Sequence, residues 1–389
     1  MPSTSVSSSR SRSNPRAQLA QSALTDRVHV ECVDDLSQSL VDTWHRFQGS
    51  NPALANGCFH FEFADAVSRV RTGVEYAIIR QNSEVAGIFP FQRSGSRVIK
   101  PVGGMMNDFH GLITNAATKI DLAEVLKQID VRKFDFHALS LDALNQKTTL
   151  QSNRTKRVFR ELNCPFIDLS DGSLAYRDWL LKHSSTVRRQ PQKTRALSRR
   201  HGPIRMEIDC RDPAMLEKVI EWKRAKFRRT RTFDLLGVEW TSNLLRELFR
   251  TRTDGFKGLL SILWAGDQPV SGHFGFQSGS LLHYYIPAHN IQFRQFSPGT
   301  ELMYQMACSG PQHGIKRIDF GYGESDLKDR FANNRTSVQR GCIGFNPLSR
   351  LLSHGRYEVR QALKQMPLKE PLKKIVRPLH PNLGIHKFR

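Results

Sequence analysis

Four side chains have the chemistry and the setting to move protons. His273 stands inside a β-rich run, Glu324 follows a predicted strand and Asp108 lies in a glycine-rich loop, so each is a candidate general base. Tyr284 is a candidate acid. The spacing does not choose among the three bases. No Ser-His-Asp or Cys-His arrangement is visible in the sequence, which predicts direct group transfer without a covalent enzyme intermediate.

Metal and disulfide chemistry have no signature in the sequence. The six cysteines are scattered without a Cys-x-x-Cys pair, and neither His-Glu-x-x-His nor an EF-hand pattern occurs. We therefore expect no dedicated metal site and a reducing, cytoplasmic setting. The apolar runs fall short of the roughly 18 residues that span a bilayer. The Ser/Arg-rich start also lacks the apolar core of a secretory signal.

The stretch FSPGTELMYQMACSG, which begins at Phe296, has the residues of a helix start that could meet an anion. Pro298 suits the first helical turn and Ser297 is a natural N-cap. Gly299 lets a ligand approach the backbone, and Arg294 adds positive charge upstream. Because helix N-termini carry free N–H groups and partial positive charge, a phosphate group suits this geometry. An ordinary capped helix without a ligand has the same residues, so both interpretations stay open here.

Two parts of the chain repeat one pattern: three β-rich runs, a helical segment and a further strand. Residues 75–103 and 259–287 have the β-rich runs of meanders, with turns at Asn82–Ser83 and Ser94–Gly95 in the first, and at Gly266–Asp267 and Ser278–Gly279 in the second. Their central runs, VAGIFPFQ and VSGHFGFQ, lie 185 positions apart, and the later runs KFDFHAL and RIDFGYG lie 184 apart. The helical segments between them are 117–129 and 299–313. We therefore predict a duplicated β-β-β-α-β unit.

Helical patterns precede each meander. They cover 36–48 in the first half, and 176–202 and 213–231 in the second, with Pro191 interrupting the first of the latter two. Helices that flank a meander and a later strand predict an α/β fold of mixed sheets covered by helices. At roughly 150 residues per domain, the 389 residues allow two or three domains.

The chain is strongly basic, with a formal charge of +22. Eight Lys/Arg and no acid lie between Trp179 and Met206, and six more lie in 223–231. Such a field attracts nucleic acid, anionic lipid, acidic polysaccharide or phosphorylated small molecules. Residues 346–389 carry ten Lys/Arg against two Glu, with apolar residues at partly helical spacing and Gly355 weakening a continuous helix. This segment either lies on an anionic membrane or packs on the second domain with a solvated basic face.

The second meander and the Ser-Pro-Gly helix start that follows it together resemble the arrangement found in the GNAT acyltransferases. More narrowly, the chain is similar to CelD-type acetyltransferases, which are linked to cellulose and exopolysaccharide synthesis, and to the related FemAB peptidyltransferases. The similarity covers most of 28–345, although the usual GNAT pattern Gln/Arg-x-x-Gly-x-Gly/Ala is replaced by Ser-Pro-Gly. The motifs that carry it are VAGIFPFQ, GGMMNDFHG, VSGHFGFQ, YYIPAHNIQFRQFSPGTELMYQM, GIKRIDFGYGESDLKDRF and the basic helix VRRQPQKTRALSRR.

The resemblance implies two tandem GNAT-like domains, acetyl-CoA or another acyl-CoA as the donor, and no metal. Backbone N–H groups at the Ser-Pro-Gly helix start would hold the donor pyrophosphate, the pantetheine would lie along the strand at 284–286, and Tyr284 would protonate the leaving thiolate. Asn107 and His110 would bind a sugar-like or amine acceptor. The implied donor-binding residues are Tyr285, Ile286, Arg294, Ser297, Gly299, Thr300 and Lys328.

The predicted organisation has four parts: a disordered tail (1–27), a GNAT-like domain on the acceptor side (28–170), a second on the acyl-CoA side (171–345) and a basic tail (346–389). The implied function is an N- or O-acetyltransferase that acts on a sugar or polysaccharide precursor in exopolysaccharide or cellulose biosynthesis, by direct attack on the thioester. It would be cytoplasmic, with a peripheral contact to the inner face of the membrane or a polysaccharide synthase. The alternatives are a FemAB-like transferase that takes its donor from aminoacyl-tRNA, motivated by the basic helix, and a non-enzymatic basic binding protein.

Overall fold

The computed structural model describes residues 28–144 and 155–365. The predicted tail 1–27 and the last part of the basic segment, 366–389, lie outside the described residues. The strands are β1 (His29–Val33), β2 (Val74–Gln81), β3 (Glu84–Arg93), β4 (Val98–Lys100), β5 (Lys133–Leu139), β6 (Lys156–Asp168), β7 (Ile204–Glu207), β8 (Phe256–Ala265), β9 (Gln268–Ser278), β10 (Leu281–His289), β11 (Arg317–Asp319) and β12 (Asn334–Gly344). The helices are α1 (Gln38–Ser50), α2 (Phe61–Val70), α3 (Leu122–Gln128), α4 (Ser173–His183), α5 (Ser185–Arg188), α6 (Gln190–His201), α7 (Pro213–Arg229), α8 (Glu239–Arg250), α9 (Pro298–Ser309), α10 (Asp326–Phe331) and α11 (Pro347–Gln365).

The duplicated β-β-β-α-β unit is confirmed. Strands β2, β3 and β4, helix α3 and strand β5 form the first copy, and β8, β9, β10, α9 and β11 form the second. The first two strands of each copy are antiparallel, and the last two are parallel. The predicted hairpin turns are also present: Asn82 and Ser83 both have positive φ, as a two-residue type I′ hairpin requires.

The two copies share one sheet of twelve strands instead of forming two separate sheets. Its order is β1-β2-β3-β4-β5-β12-β6-β11-β10-β9-β8-β7, so the second copy repeats the first in reverse across the central pair β12-β6. Each central strand pairs with the copy that it does not follow in sequence, because β12 pairs with β5 and β6 pairs with β11. The mixed α/β prediction is therefore confirmed, while a domain boundary near residue 170 stays a prediction.

The two halves also share a hydrophobic core. Trp44 and Phe63 from the first half are buried in the same cluster as Phe256 and Phe276 from the second. The contact is close, since a Cβ added to Gly57 would lie 2.5 Å from the ring of Phe276. Close packing of this kind tolerates little displacement, so the halves hold each other's loops in fixed positions.

Helical elements follow the sequence expectations with two refinements. The first basic region of the second half is divided into α4, α5 and α6, and Pro191 lies in the first turn of α6, where its missing N–H costs no hydrogen bond. The predicted weak point at Gly355 does not interrupt α11, which continues through it. In the part of the chain that the structure describes, no helix has the length and apolar character needed to cross a membrane.

Candidate active site

A groove begins where strands β10 and β11 separate. Their parallel pairing ends at His283 and Asp319. Beyond that point β10 stays paired with β9, whereas the N–H groups of Phe320 and Gly323 donate to carbonyls of β6 and not of β10. Two neighbouring strands that follow different partners must open a gap, and the carboxyl ends of strands in α/β sheets are where ligands bind.

A β-bulge on β10 lies at the mouth of this groove. Pairing with β9 steps from His283–Phe276 to Ile286–Phe274, so Tyr284 and Tyr285 together face Gly275. Gly275 is required there, because an added Cβ would lie 2.1 Å from the carbonyl oxygen of His283. Bulges turn side chains and backbone groups out of the regular ladder and are frequent beside active sites.

The start of α9 follows β10 in sequence, after the loop at 290–297. Ser297 is the N-cap residue, as predicted, but its φ of 52° is left-handed and its side chain makes no capping bond. Its hydroxyl instead accepts a hydrogen bond from Lys193 Nζ at 2.8 Å. The N–H groups of Ser297 and Thr300 already donate to the carbonyls of Arg294 and Ser297, at 3.1 and 3.0 Å. The basic helix α6 therefore places an ammonium group directly at the predicted anion-binding turn.

Gly299 leaves open space at this helix start. A Cβ added there would meet nothing closer than His289 Nδ1 at 3.9 Å and Ser271 Oγ at 4.0 Å. Burial, followed by the charges of Lys226 and Arg229 on α7, lowers the pKa of the adjacent His289. Lys193 of α6 thus places an ammonium group at a helix start with no side chain at Gly299, and the charges of α7 act on the adjacent His289; a phosphate favours such a cationic setting.

A buried polar network joins the two halves where the groove begins. His283 is fully buried, and its Nε2 lies 3.2 Å from Asp108 Oδ2, on the first half. Asn56 Nδ2 lies 3.3 Å from His283 Nδ1 and donates to Asp319 Oδ2 at 2.9 Å. Arg317 completes the chain with bonds of 2.8 and 3.0 Å to the other oxygen of Asp319. Asp319 is buried and has two partners, Asn56 and Arg317.

This network assigns the tautomer of His283. Asn56 Oδ1 accepts the N–H of Cys58 at 3.0 Å, so the amide nitrogen of Asn56 must face Asp319 and His283. Because the Asn56 amide donates a hydrogen bond to Nδ1 of His283, Nδ1 is an acceptor and carries no proton. The ring proton then lies on Nε2, which donates a hydrogen bond to Asp108. The side chain of Asp108 is 22% exposed. His283 therefore orients the carboxylate from one side, and the other side is accessible to solvent.

Lys328 and Gly321 shape the same corner. Lys328 Nζ donates to the carbonyls of Gly321, Tyr322 and Gly323 at 3.2, 2.9 and 3.1 Å. Burial lowers the pKa of Lys328, while the charge of Asp108 acts in the opposite direction. Gly321 has a φ of +67°, and an added Cβ would lie 2.2 Å from Asp108 Oδ2. Asp108 therefore approaches the backbone at Gly321 closely.

The remaining predicted proton-transfer residues lie apart from this corner. His273 and Tyr284 stack 3.9 Å apart in the second half, on the face of β10 opposite His283. Burial lowers the pKa of His273 far below its ordinary value, so the ring is neutral. Tyr284 has a buried hydroxyl with no hydrogen-bond partner among the described residues, and burial raises its pKa. Glu324 is exposed on the loop that follows β11.

The predicted substrate-binding and strand residues have mixed placements. Asn107 is buried with its amide committed to Val102 O at 3.0 Å and Phe109 N at 3.1 Å, and His110 is buried with its pKa lowered by burial. Tyr285 donates its hydroxyl to the carbonyl of Met106 across the junction. Ile286 is buried on β10, and Arg294 is exposed in the short 3-10 helix before α9.

Three residues of this site were missed by the sequence analysis. His283 lies within the β-rich run LLHYYI, a signal of the same kind as the one that pointed to His273. Lys193 lay within the basic helix without being singled out, and Asn56 has no local signal, since its partners are more than 200 residues away in sequence. Within 28–144 and 155–365, no group of three His, Cys, Asp or Glu side chains is arranged to hold a metal ion.

Comparison with known proteins agrees with this geometry. Residues 182–329 match the model of the acetyltransferase (GNAT) domain. The structure resembles the crystal structure of FemX, with a TM-score of 0.55, 14% identity and coverage of 83% of this chain and 99% of that one. It is less similar to the C-terminal domain of a putative lysylphosphatidylglycerol synthetase from Agrobacterium fabrum (TM-score 0.48, 10% identity, 75% and 90% covered). A tandem GNAT protein from the clavulanic acid biosynthesis pathway also aligns (TM-score 0.44, 9% identity, 82% and 99% covered).

The matched segment contains every element around the groove except those of the first half. It runs from the end of α4 through α6, α7, β10, α9 and β11 to Lys328 in α10. The search among curated proteins gave no significant match. Residues 182–329 thus form an acetyltransferase (GNAT) domain, and the chain is an acyltransferase.

Proposed function

We propose that this protein transfers an acyl group from acyl-CoA to an amine or hydroxyl, with the donor held by the second half (171–345) and the acceptor reached from the first (28–170). The observation that carries the proposal is the groove between β10 and β11. The carboxylate of Asp108 lies beside His283 where the strands separate, and β10 leads from there to the cationic start of α9. An acyl-CoA has the matching polarity, because its phosphates and its thioester lie at opposite ends of a long, mostly apolar arm.

The donor phosphates would bind at the bare turn of Gly299, between Lys193 and the cations of α7. An ammonium held 2.8 Å from the Ser297 hydroxyl needs little reorganisation to meet an anion there. The pantetheine arm would follow Tyr285 and Ile286 toward the bulge. In this arrangement Lys328 acts by holding the 321–323 carbonyls, and Arg294 adds charge at the exposed rim.

The chemistry would use Asp108 as the general base. The acceptor nitrogen or oxygen attacks the thioester carbonyl carbon, its proton passes to the Asp108 carboxylate, and the carbon–sulfur bond breaks. His283 cannot take that proton on Nδ1 without losing the bond from Asn56, so it positions Asp108 and does not act as the base. The thiolate would be protonated from the other face of β10, by Tyr284, whose buried hydroxyl has no hydrogen-bond partner among the described residues. His273 and Glu324 remain less favoured bases.

The acceptor we propose is a sugar-like or amine compound, as the resemblance to CelD-type enzymes implies, with a role in exopolysaccharide or cellulose precursor synthesis. It would enter beside Asp108, past the loop that holds Asn107 and His110. A cytoplasmic setting belongs to the same proposal, and the six cysteines are all unpaired, as a reducing compartment favours.

One observation favours a second candidate, an aminoacyl-tRNA donor. The cations near the helix start exceed what one pyrophosphate needs, because α6 ends with Arg199 and Arg200, and α7 ends with Lys226, Arg228 and Arg229. A ribonucleic acid would use such an extended basic surface, and its affinity would fall steeply with salt.

Calorimetric titration separates the two candidates. The full chain is titrated with acetyl-CoA and with uncharged tRNA, each at low and at high salt. We expect saturable acetyl-CoA binding with a modest salt dependence. Tight tRNA binding together with no heat from acetyl-CoA would favour the second candidate and contradict the first.

A further inference from the structure

Helix α11 packs against the sheet with its polar side. Tyr357 stacks on Phe159 of β6 with ring centroids 5.3 Å apart, and His354 lies 5.4 Å from the same ring. Arg350 Nη1 donates to the carbonyl of Gly344 at 2.6 Å, and Arg157 lies 3.3 Å from His354 Nδ1. A surface helix of a globular protein normally buries its apolar stripe. In α11 that orientation is reversed.

The apolar side of α11 is therefore exposed. Leu348, Leu351, Leu352 and Val359 are 61%, 55%, 54% and 60% exposed. Their spacing of three, four and eleven from the first position puts them on one face of a helix. Other large exposed apolar side chains of the described ranges, such as Leu174 and Ile291, lie singly on separate elements. A cluster on one helix face marks a contact surface, whereas single exposed apolar residues are ordinary.

The charge around this stripe indicates its partner. Arg356 is exposed on α11 beside the apolar side chains, and residues 366–389 add six Lys/Arg against one Glu. A second copy of the chain would bring another net charge of +22 to the same contact, which opposes association. Four aliphatic side chains also offer much less than the roughly 800 Å² per partner that a stable protein interface buries. A surface with anionic groups above an apolar interior suits both the positive charge and the small aliphatic stripe.

We propose that α11 docks on an anionic membrane surface through the stripe Leu348, Leu351, Leu352 and Val359. The helix lies in the plane of the interface, with its aliphatic side chains among the acyl chains and its basic neighbours at the phosphates. The polar contacts of His354, Tyr357 and Arg350 fix the helix to the sheet, so the membrane holds the whole molecule and not a free tail.

Vesicle co-sedimentation of the full-length chain tests this docking. Vesicles of phosphatidylcholine alone are compared with vesicles that also contain phosphatidylglycerol. The test variant is Leu348→Gln/Leu351→Gln/Leu352→Gln, which keeps good helix formers at exposed positions. The matched control is Leu174→Gln, which removes an equally exposed leucine, 66% accessible, on another helix. A single Val359→Glu variant adds a charge that an anionic surface repels.

We expect the wild type and Leu174→Gln to sediment with the anionic vesicles. The triple variant should partition at least about tenfold less, since several buried aliphatic groups are lost. Val359→Glu should also bind less, and added salt should weaken the wild type. Unchanged melting temperatures would show that the variants are folded.

Three results would overturn the proposal. The first is equal sedimentation of the wild type, the triple variant and Val359→Glu. The second is absence of wild-type binding to either kind of vesicle, which would leave residues 366–389 as the cover of the stripe. The third is a wild-type dimer in light scattering that the triple variant converts to a monomer, because the stripe would then contact a second copy.

Discussion

Replacing Gly299 by glutamate should abolish acyl-CoA binding while leaving the fold intact. The position has room, since an added Cβ meets nothing within 3.9 Å. A carboxylate in the first turn of a helix is also favourable for the helix itself, by roughly 0.3–1 kcal/mol. We therefore expect the variant to unfold at the same denaturant concentration as the wild type or slightly higher.

The loss of affinity follows from the repulsion of two anions. Two unit charges about 4 Å apart repel by about 4 kcal/mol at the effective dielectric constant of a protein surface. Each 1.4 kcal/mol changes an equilibrium constant about tenfold. The dissociation constant for acetyl-CoA should thus rise roughly a thousandfold if a phosphate lies over Gly299. The positive charge of the neighbouring Lys193 would reduce this increase.

Two further variants separate charge from bulk. Gly299→Ala should bind acetyl-CoA within about threefold of the wild type, because its methyl group has ordinary contact distances. Gly299→Gln has the size of the glutamate without its charge and should lie between the two. Calorimetric titration measures all four proteins. If the glutamate variant binds as tightly as the glutamine variant, no phosphate lies at this helix start and the donor site has been misplaced.

Three other predictions test the junction and its chemistry. Asp108→Asn should lower the turnover number by roughly 10²–10⁴, the usual contribution of a general base, with acetyl-CoA affinity unchanged; normal turnover with an amine panel would exclude Asp108. Tyr284→Phe should slow thiol release yet unfold at an equal or higher urea concentration, because it removes an unbonded buried hydroxyl; a clear loss of stability would show that the hydroxyl has a partner. Burial alone would raise the pKa of Glu62, but the hydrogen bond and charge of His60 lower it to about 2. Since unfolded carboxylates titrate near 4.3, stability should be lost as the pH falls from about 4 to 2, and Glu62→Gln should flatten that part of the urea-midpoint profile.

Local patterns in the sequence determined the repeated unit. The hairpin turn at Asn82–Ser83 and the strand that contains Gly87 were predicted because turn chemistry and strand alternation act over a few residues. The start of α9 at Pro298 was predicted for the same reason.

Only the tertiary structure decided which histidine reaches the junction. His273 and His283 each lie in a β-rich run, and only His273 was named as a candidate from the sequence. His283 pairs opposite Phe276 and faces Asp108, whereas His273 stands three residues from Phe276 on β9 and is buried on the other face. Which face of a strand meets the other half depends on how the sheet is paired and packed, so periodicity within one strand cannot predict it.

The same limit applies to the exchange of the central strands and to the orientation of α11. The pairing of β12 with β5, and the contact of Asn56 with Asp319, join residues about 200 or more positions apart, and neither leaves a local trace. The spacing of Leu348, Leu351 and Leu352 predicted an amphipathic helix, but not which side would face the sheet. Tyr357 and His354 pack against the ring of Phe159, and this packing directs the leucines outward. Periodicity determines that a helix has an apolar face, whereas the neighbouring surface determines where that face points.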